Sequence, residues 1–157
     1  MKSVLFVCTA NRCRSPMAEA LLKDKVRRLG QASEWSISSA GTWTGPGQPV
    51  LPLTQAVMSK RGLNLENNLS RPVDTGLIQS ANLILVMTNN HREGLCVEFP
   101  KAARKVMLLS RLAGPGYDIE DPAGQSENDY AVCANDIARI LERGFERLIA
   151  LTEPTSE

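Results

Sequence analysis

Short, unbroken apolar runs alternate along this chain with longer stretches whose apolar residues recur at helical spacing. Residues 3–7, built on Val4-Leu5-Phe6-Val7, contain no polar break and predict a buried strand. Ala18, Leu21, Leu22, Val26 and Leu29 then return every three or four positions. They predict a helix over 17–29, with Ser15 as N-cap, Pro16 in the first turn and Gly30 as the stop. Residues 35–39 read as a second strand. The stretch 41–52 holds three Gly and three Pro, which predicts a structured loop. A short helix over 53–61 follows, closed by Gly62. Residues 82–87 read as a third strand, 90–99 as a helix and 105–109 as a fourth strand. Gly, Pro and Asp crowd 111–128 and predict a loop. One long helix, 128–151, is expected to carry Ile137, Ile140, Leu141, Phe145, Leu148 and Ile149 on one face, before a polar tail, 152–157.

Short apolar strands separated by helices imply a single α/β domain over 1–151. Its parallel sheet would be covered by helices on both faces, giving three layers. Sites in such folds lie beyond the C-terminal ends of strands. Cys8 stands at one such end.

Composition narrows the chemistry. A net charge of +1 implies no polyanion partner, so no nucleic acid is expected, and no apolar stretch is long enough for a membrane span. The apolar run at the start is too short for a signal peptide, which makes the cytoplasm the expected location. The four cysteines, Cys8, Cys13, Cys96 and Cys133, form no CxxC pair and are expected to stay reduced. The single histidine, His91, lies far from any cysteine pair. It reads as a solvated residue at a helix start, and neither zinc nor any other metal or cofactor is expected.

The segment Cys8-Thr9-Ala10-Asn11-Arg12-Cys13-Arg14-Ser15-Pro16 carries the chemistry. A thiol at a strand end, a short loop, an arginine six positions on and a helix start are the parts of a cysteine phosphatase site. Backbone N–H groups of such a loop can converge on one anion, helped by the helix N-terminus. Arg14 can clamp two oxyanions. The same field favours the thiolate form of Cys8. The competing reading makes Cys8 a buried small hydrophobe and Arg14 a solvated helix residue. A phosphomonoester also needs an acid for its leaving oxygen. Asp121, stiffened by Pro122, can supply one, although an Asp-Pro pair can equally start a turn.

Taken together, Cys8, Asn11, Cys13, Arg14, Ser15, Pro16, Met17, Ala18 and Glu19 in register, Ser39-Ala40-Gly41-Thr42, and Asp121-Pro122 followed by Tyr130 resemble the low-molecular-weight protein tyrosine phosphatases. The resemblance spans nearly the whole chain. It implies a sheet in the order 2-1-3-4 and a cysteinyl-phosphate mechanism, with Cys8 as nucleophile, Asp121 as acid and then base, and Arg14 with Thr9, Ala10, Asn11, Arg12, Cys13 and Ser15 holding the phosphate. Asn11 is expected to brace the loop, and the Ser15 hydroxyl to donate to the Cys8 sulfur. Cys13 is expected to protect Cys8 by forming a reversible disulfide, the alternative being that it only packs beneath the loop. The expected partner is a phosphorylated protein or a small aryl phosphate.

Several positions depart from the family pattern. Arg12 replaces a small or apolar residue and puts a cation at the substrate rim. Ala123 and Gly124 replace the aromatic residues that often follow the Asp-Pro pair, and Trp43 is a candidate for the opposite wall, or else a half-buried loop aromatic. Asn68 stands at the position of a family histidine that supports the loop. A bacterial branch dephosphorylates phosphoarginine, and residues 121–126 resemble its loop, but that branch's threonine is missing here. Thiol-dependent arsenate reductases share the fold and loop; they need two further cysteines close together, and only Cys96 lies mid-chain. A non-catalytic phosphate-binding module is the third class, which the presence of both Cys8 and Asp121 disfavours.

Overall fold

The structure is a computed structural model and describes residues 1–154. Four parallel strands, β1 (Lys2–Cys8), β2 (Trp35–Gly41), β3 (Leu83–Val86) and β4 (Val106–Leu108), form one sheet in the order β2-β1-β3-β4. The six α-helices among the described residues are α1 (Arg14–Arg28), α2 (Pro52–Lys60), α3 (Thr75–Ser80), α4 (Asn89–Glu98), α5 (Glu127–Arg143) and α6 (Phe145–Thr152). None is long and apolar enough to cross a membrane.

The two central strands are apolar from Val4 to Cys8 and from Leu83 to Val86 because both faces are covered there, whereas the edge strand β2 carries Ser36, Ser38 and Ser39. Val4, Phe6 and Cys8 of β1 join Leu83 and Leu85 of β3 in a cluster with Met17, Leu22, Ile137, Ile140 and Leu148. Leu5 and Val7 of β1 and Ile84 and Val86 of β3 face the other way, against Ile78 of α3 and Leu95 of α4. Period-two alternation within an apolar run thus feeds two cores, the signature of a buried parallel sheet.

Three expectations are corrected. The long C-terminal helix is broken at Gly144, whose missing side chain lets the backbone pack on Leu112; an added Cβ would lie 2.5 Å from the Leu112 Cβ. Thr152 is not part of a frayed tail. It is fully buried and its hydroxyl donates to the Leu148 carbonyl at 2.8 Å. The rest of that tail, 155–157, lies outside the described residues. Finally, α3 is a helix where the apolar pattern predicts no element. It is six residues long and is started by Asp74, whose side chain accepts from the Leu77 N–H at 2.8 Å.

Candidate active site

Strand β1 ends on Cys8, buried at 2% exposure at the base of a loop that runs to the start of α1. Among the described residues, no protein acceptor takes the backbone N–H groups of residues 9–14. A row of free amides ahead of a 15-residue helix is a ready cradle for an anion. The end of β2 supports the loop from beneath: Thr42 N–H donates to the Cys8 carbonyl at 2.9 Å and Trp43 N–H to the Thr9 carbonyl at 3.0 Å. This approach requires glycine at position 41, where a Cβ would sit 2.5 Å from the Thr9 oxygen.

Ser15 is not the N-cap. The helix begins at Arg14 without a side-chain cap, and the Ser15 hydroxyl turns inward to lie 2.9 Å from the Cys8 sulfur. Asn11 Nδ2 donates to the same hydroxyl at 2.8 Å, so Ser15 accepts there and its proton is free to point at sulfur. Asn11 is buried with φ of 56°, a left-handed conformation that Asn tolerates better than most residues. It also donates to Ser39 Oγ at 2.9 Å and accepts from the Arg71 N–H at 3.1 Å. Ser39 passes its proton side to Glu19 at 2.6 Å. Asn68 reaches the other Glu19 oxygen at 3.5 Å, the outermost member of this chain of bonds.

Arg14 is almost fully buried. One guanidinium nitrogen donates to the Ile119 carbonyl at 2.9 Å and another lies 3.7 Å from an Asp121 oxygen. Ile119 N–H in turn donates to the Met87 carbonyl at the end of β3. The Asp121 loop is therefore tied both to the sheet and to Arg14. The other Asp121 oxygen accepts from the Ala123 N–H at 3.0 Å, while about half of the Asp121 side chain stays open to solvent. A thiol, an adjacent hydroxyl, free amides, a buried guanidinium and a half-exposed carboxylate thus converge beyond the ends of β1 and β3.

The sequence profile of low molecular weight phosphotyrosine protein phosphatases matches residues 3–152. The chain belongs to this family. The phosphatase is 33% identical over 146 residues to a protein-arginine-phosphatase of Bacillus subtilis (strain 168), covering 92% of this chain and 95% of that one. It is 32% identical over 141 residues to the low molecular weight protein-tyrosine-phosphatase Wzb of Escherichia coli (strain K12), covering 90% and 88%. Among solved structures it resembles a mutant of the YwlE arginine phosphatase with a phosphorylated active-site serine, with a TM-score of 0.88, 30% identity and coverage of 94% and 95%.

The residues expected to surround the site are brought together unevenly. Arg12 leans away over the neighbouring loop, where its Nε donates to the Pro49 carbonyl at 2.7 Å and its own carbonyl accepts from the Leu51 N–H. Trp43 is 85% exposed, fixed by its backbone while its ring projects outward, and so is not the half-buried loop aromatic. Ala123 is exposed beside Asp121. Cys13 is buried in the same apolar cluster as Cys8 and Cys133. Burial pushes the Cys13 and Cys133 thiols up to about 12, so both stay protonated at neutral pH. Cys96 packs in the cluster on the opposite face of the sheet, away from the other three thiols.

His91 corrects the sequence reading most sharply. It is buried, not solvated, and its Nε2 lies 2.8 Å from the Thr9 hydroxyl, at the start of the loop after β1. Its Nδ1 accepts from the Thr88 N–H at 3.2 Å, while Thr88 Oγ1 accepts from the His91 N–H at 3.3 Å. This reciprocal box caps α4. Because Nδ1 accepts, the ring proton sits on Nε2, which donates to Thr9. Burial, reinforced by the Arg14 charge, pushes His91 down to about 4, so the ring is neutral at physiological pH. The available signal was Thr88-x-x-His91 just beyond a strand end, the spacing of a capping box at the edge where sites form.

Proposed function

We propose that this phosphatase hydrolyses phosphotyrosine in proteins through a cysteinyl-phosphate on Cys8. The observation that carries the reading is the Cys8 sulfur, 2.9 Å from a hydroxyl able to donate, beneath a row of free amides and facing an Asp121 tethered by Arg14. In the first step the Cys8 sulfur attacks phosphorus in line and the P–O bond to the tyrosine oxygen breaks. Asp121 gives its proton to that oxygen, a contribution worth roughly two to four orders of magnitude. In the second step Asp121 takes a proton from water as the water oxygen attacks phosphorus, and the P–S bond breaks with Ser15 stabilising the departing thiolate. The amides of Thr9, Ala10, Asn11, Arg12, Cys13 and Arg14, together with the Arg14 guanidinium, hold the equatorial oxygens throughout. No metal enters the scheme. We place this action in the cytoplasm, where free thiols such as these four persist.

A second reading, phosphoarginine, is favoured by the B. subtilis relative. Arg12 argues against it. A guanidinium pinned at Pro49 puts positive charge beside the loop, where a phosphoarginine guanidinium would be repelled. The same charge favours acidic residues flanking the phosphotyrosine, with Trp43 and Ala123 completing the rim. The test compares kcat/KM on matched phosphotyrosine and phosphoarginine peptides at two salt concentrations. Phosphotyrosine peptides with nearby Asp or Glu should be preferred, and salt should erode that preference. Arg12→Thr should shift selectivity toward phosphoarginine. Faster wild-type hydrolysis of phosphoarginine peptides would overturn the reading.

A further inference from the structure

The phosphate loop is held at two points by different parts of the fold. Its middle is braced through Asn11 by β2 and Arg71. Its first residue, Thr9, is held on one side by the Trp43 N–H at the Thr9 carbonyl and on the other by His91 at the Thr9 hydroxyl. His91 belongs to the first turn of α4, 82 positions away in sequence. We infer that His91 is a positioning residue for the phosphate loop, its Nε2–H fixing Thr9 so that the first amides of the loop face the phosphoryl oxygens. The inference rests on the phosphatase reading of the site and deepens it.

Two observations give the contact this role. The ring is oriented from behind. Thr88 occupies Nδ1 from its backbone, which leaves the Nε2–H no choice of direction, and the capped helix start makes that support rigid. The space in front of Thr9 is open. A cavity of about 490 Å³, lined by Thr9, Arg14, Thr42, Thr88, Asn90 and His91 among others, runs alongside the loop on the α4 side. Packing therefore does not hold Thr9 on that side, and the bond to His91 is what stops it from relaxing into the cavity. The ring also does this without adding a charge beside Arg14, which a lysine or a protonated imidazole in its place would.

Two substitutions separate this role from simple support of α4. Asn at position 91 places an acceptor where Nδ1 stands, keeping the cap with Thr88, but is too short to reach Thr9. Gln places an NH2 where Nε2 stands, reaching Thr9 but weakening the cap. His91→Asn should lose no more melting temperature than Thr9→Val, which breaks the same bond, yet lose roughly five- to tenfold in kcat/KM on p-nitrophenyl phosphate, the scale of one net hydrogen bond. Competitive inhibition by inorganic phosphate should weaken by a similar factor. His91→Gln should melt lower yet recover kcat/KM to within about threefold of wild type. Thr9→Val should reproduce the His91→Asn loss, and the double variant should lose no more than either single one. Losses that multiply in the double variant, or a Gln variant as impaired as the Asn variant, would overturn the inference. If His91→Asn fails to fold, Thr9→Val with unchanged phosphate inhibition would overturn it. A wild type with no turnover of p-nitrophenyl phosphate would instead sink the site reading itself.

Discussion

Asn11→Ala probes the brace on which the phosphate loop depends. The side chain makes three hydrogen bonds, to Ser15 Oγ at 2.8 Å, to Ser39 Oγ at 2.9 Å and from the Arg71 N–H at 3.1 Å. Each is worth about 1 kcal/mol net, and the Arg71 amide is left without this acceptor when the side chain is removed. The three together come to about 3 kcal/mol. The backbone adds a separate cost, because a φ of 56° is disfavoured for alanine by roughly 1 kcal/mol or more. Asn11→Ala should therefore lose about 4 kcal/mol. Asn11→Gly removes the same three bonds but relieves the backbone, and should lose about 3 kcal/mol. Domains of this size have about 5–15 kcal/mol to lose, so both variants should still fold. Urea denaturation gives the two stabilities, and inhibition by inorganic phosphate reports whether the loop still receives an anion; both variants should be inhibited more weakly than wild type. A loss under about 1 kcal/mol for Asn11→Ala would refute the brace. Equal losses for Ala and Gly would refute the backbone part of the argument.

Two further outcomes are expected. Peroxide should inactivate the wild type reversibly, with dithiothreitol restoring activity and a Cys8–Cys13 linked peptide visible by mass spectrometry, because both thiols share one buried cluster; Cys13→Ser should start active but be inactivated irreversibly, and equal recovery of both proteins would remove the protective role. His91 folds at a value of about 4 against 6.5 when free, so the unfolded chain binds more protons between those values. Keeping the buried ring uncharged costs no stability above about pH 6.5, and a loss of at most about 3 kcal/mol before solvent screening builds up as pH falls to about 4. Urea titrations at stepped pH should show that loss flattened in His91→Asn.

The sheet was legible because the stretches of parallel strand buried on both faces, Val4–Val7 of β1 and Leu83–Val86 of β3, have no polar positions. The candidate site was legible because its proposed nucleophile, amides and arginine occupy seven consecutive residues, Cys8 to Arg14, whose spacing alone fixes their relation. What escaped notice was decided at long range. A serine at a helix start can cap or turn away, and Ser15 turns because a thiol and Asn11 lie inside. Apolar spacing runs in phase across Gly144, so the break between α5 and α6 is visible only through Leu112 beneath it. His91 reads as solvated because its hydrogen-bond partner Thr9 comes from another strand end. The sequence makes Arg12 an expected cation at the substrate rim but does not show that it is anchored at Pro49, a partner 37 positions away.

The central claim is that phosphate passes through the Cys8 sulfur with Asp121 moving the proton. Asp121→Asn should slow release of the intermediate while p-nitrophenyl phosphate, whose leaving group needs little protonation, still loads it. The protein is mixed with that substrate, quenched in denaturant at neutral pH and digested, and its peptides are analysed by mass spectrometry. The account predicts one phosphoryl group on the Cys8 peptide, and Cys8→Ser should lose at least about three orders of magnitude in turnover. Continued turnover with no phosphoryl group on Cys8, or with one on another residue, would contradict it.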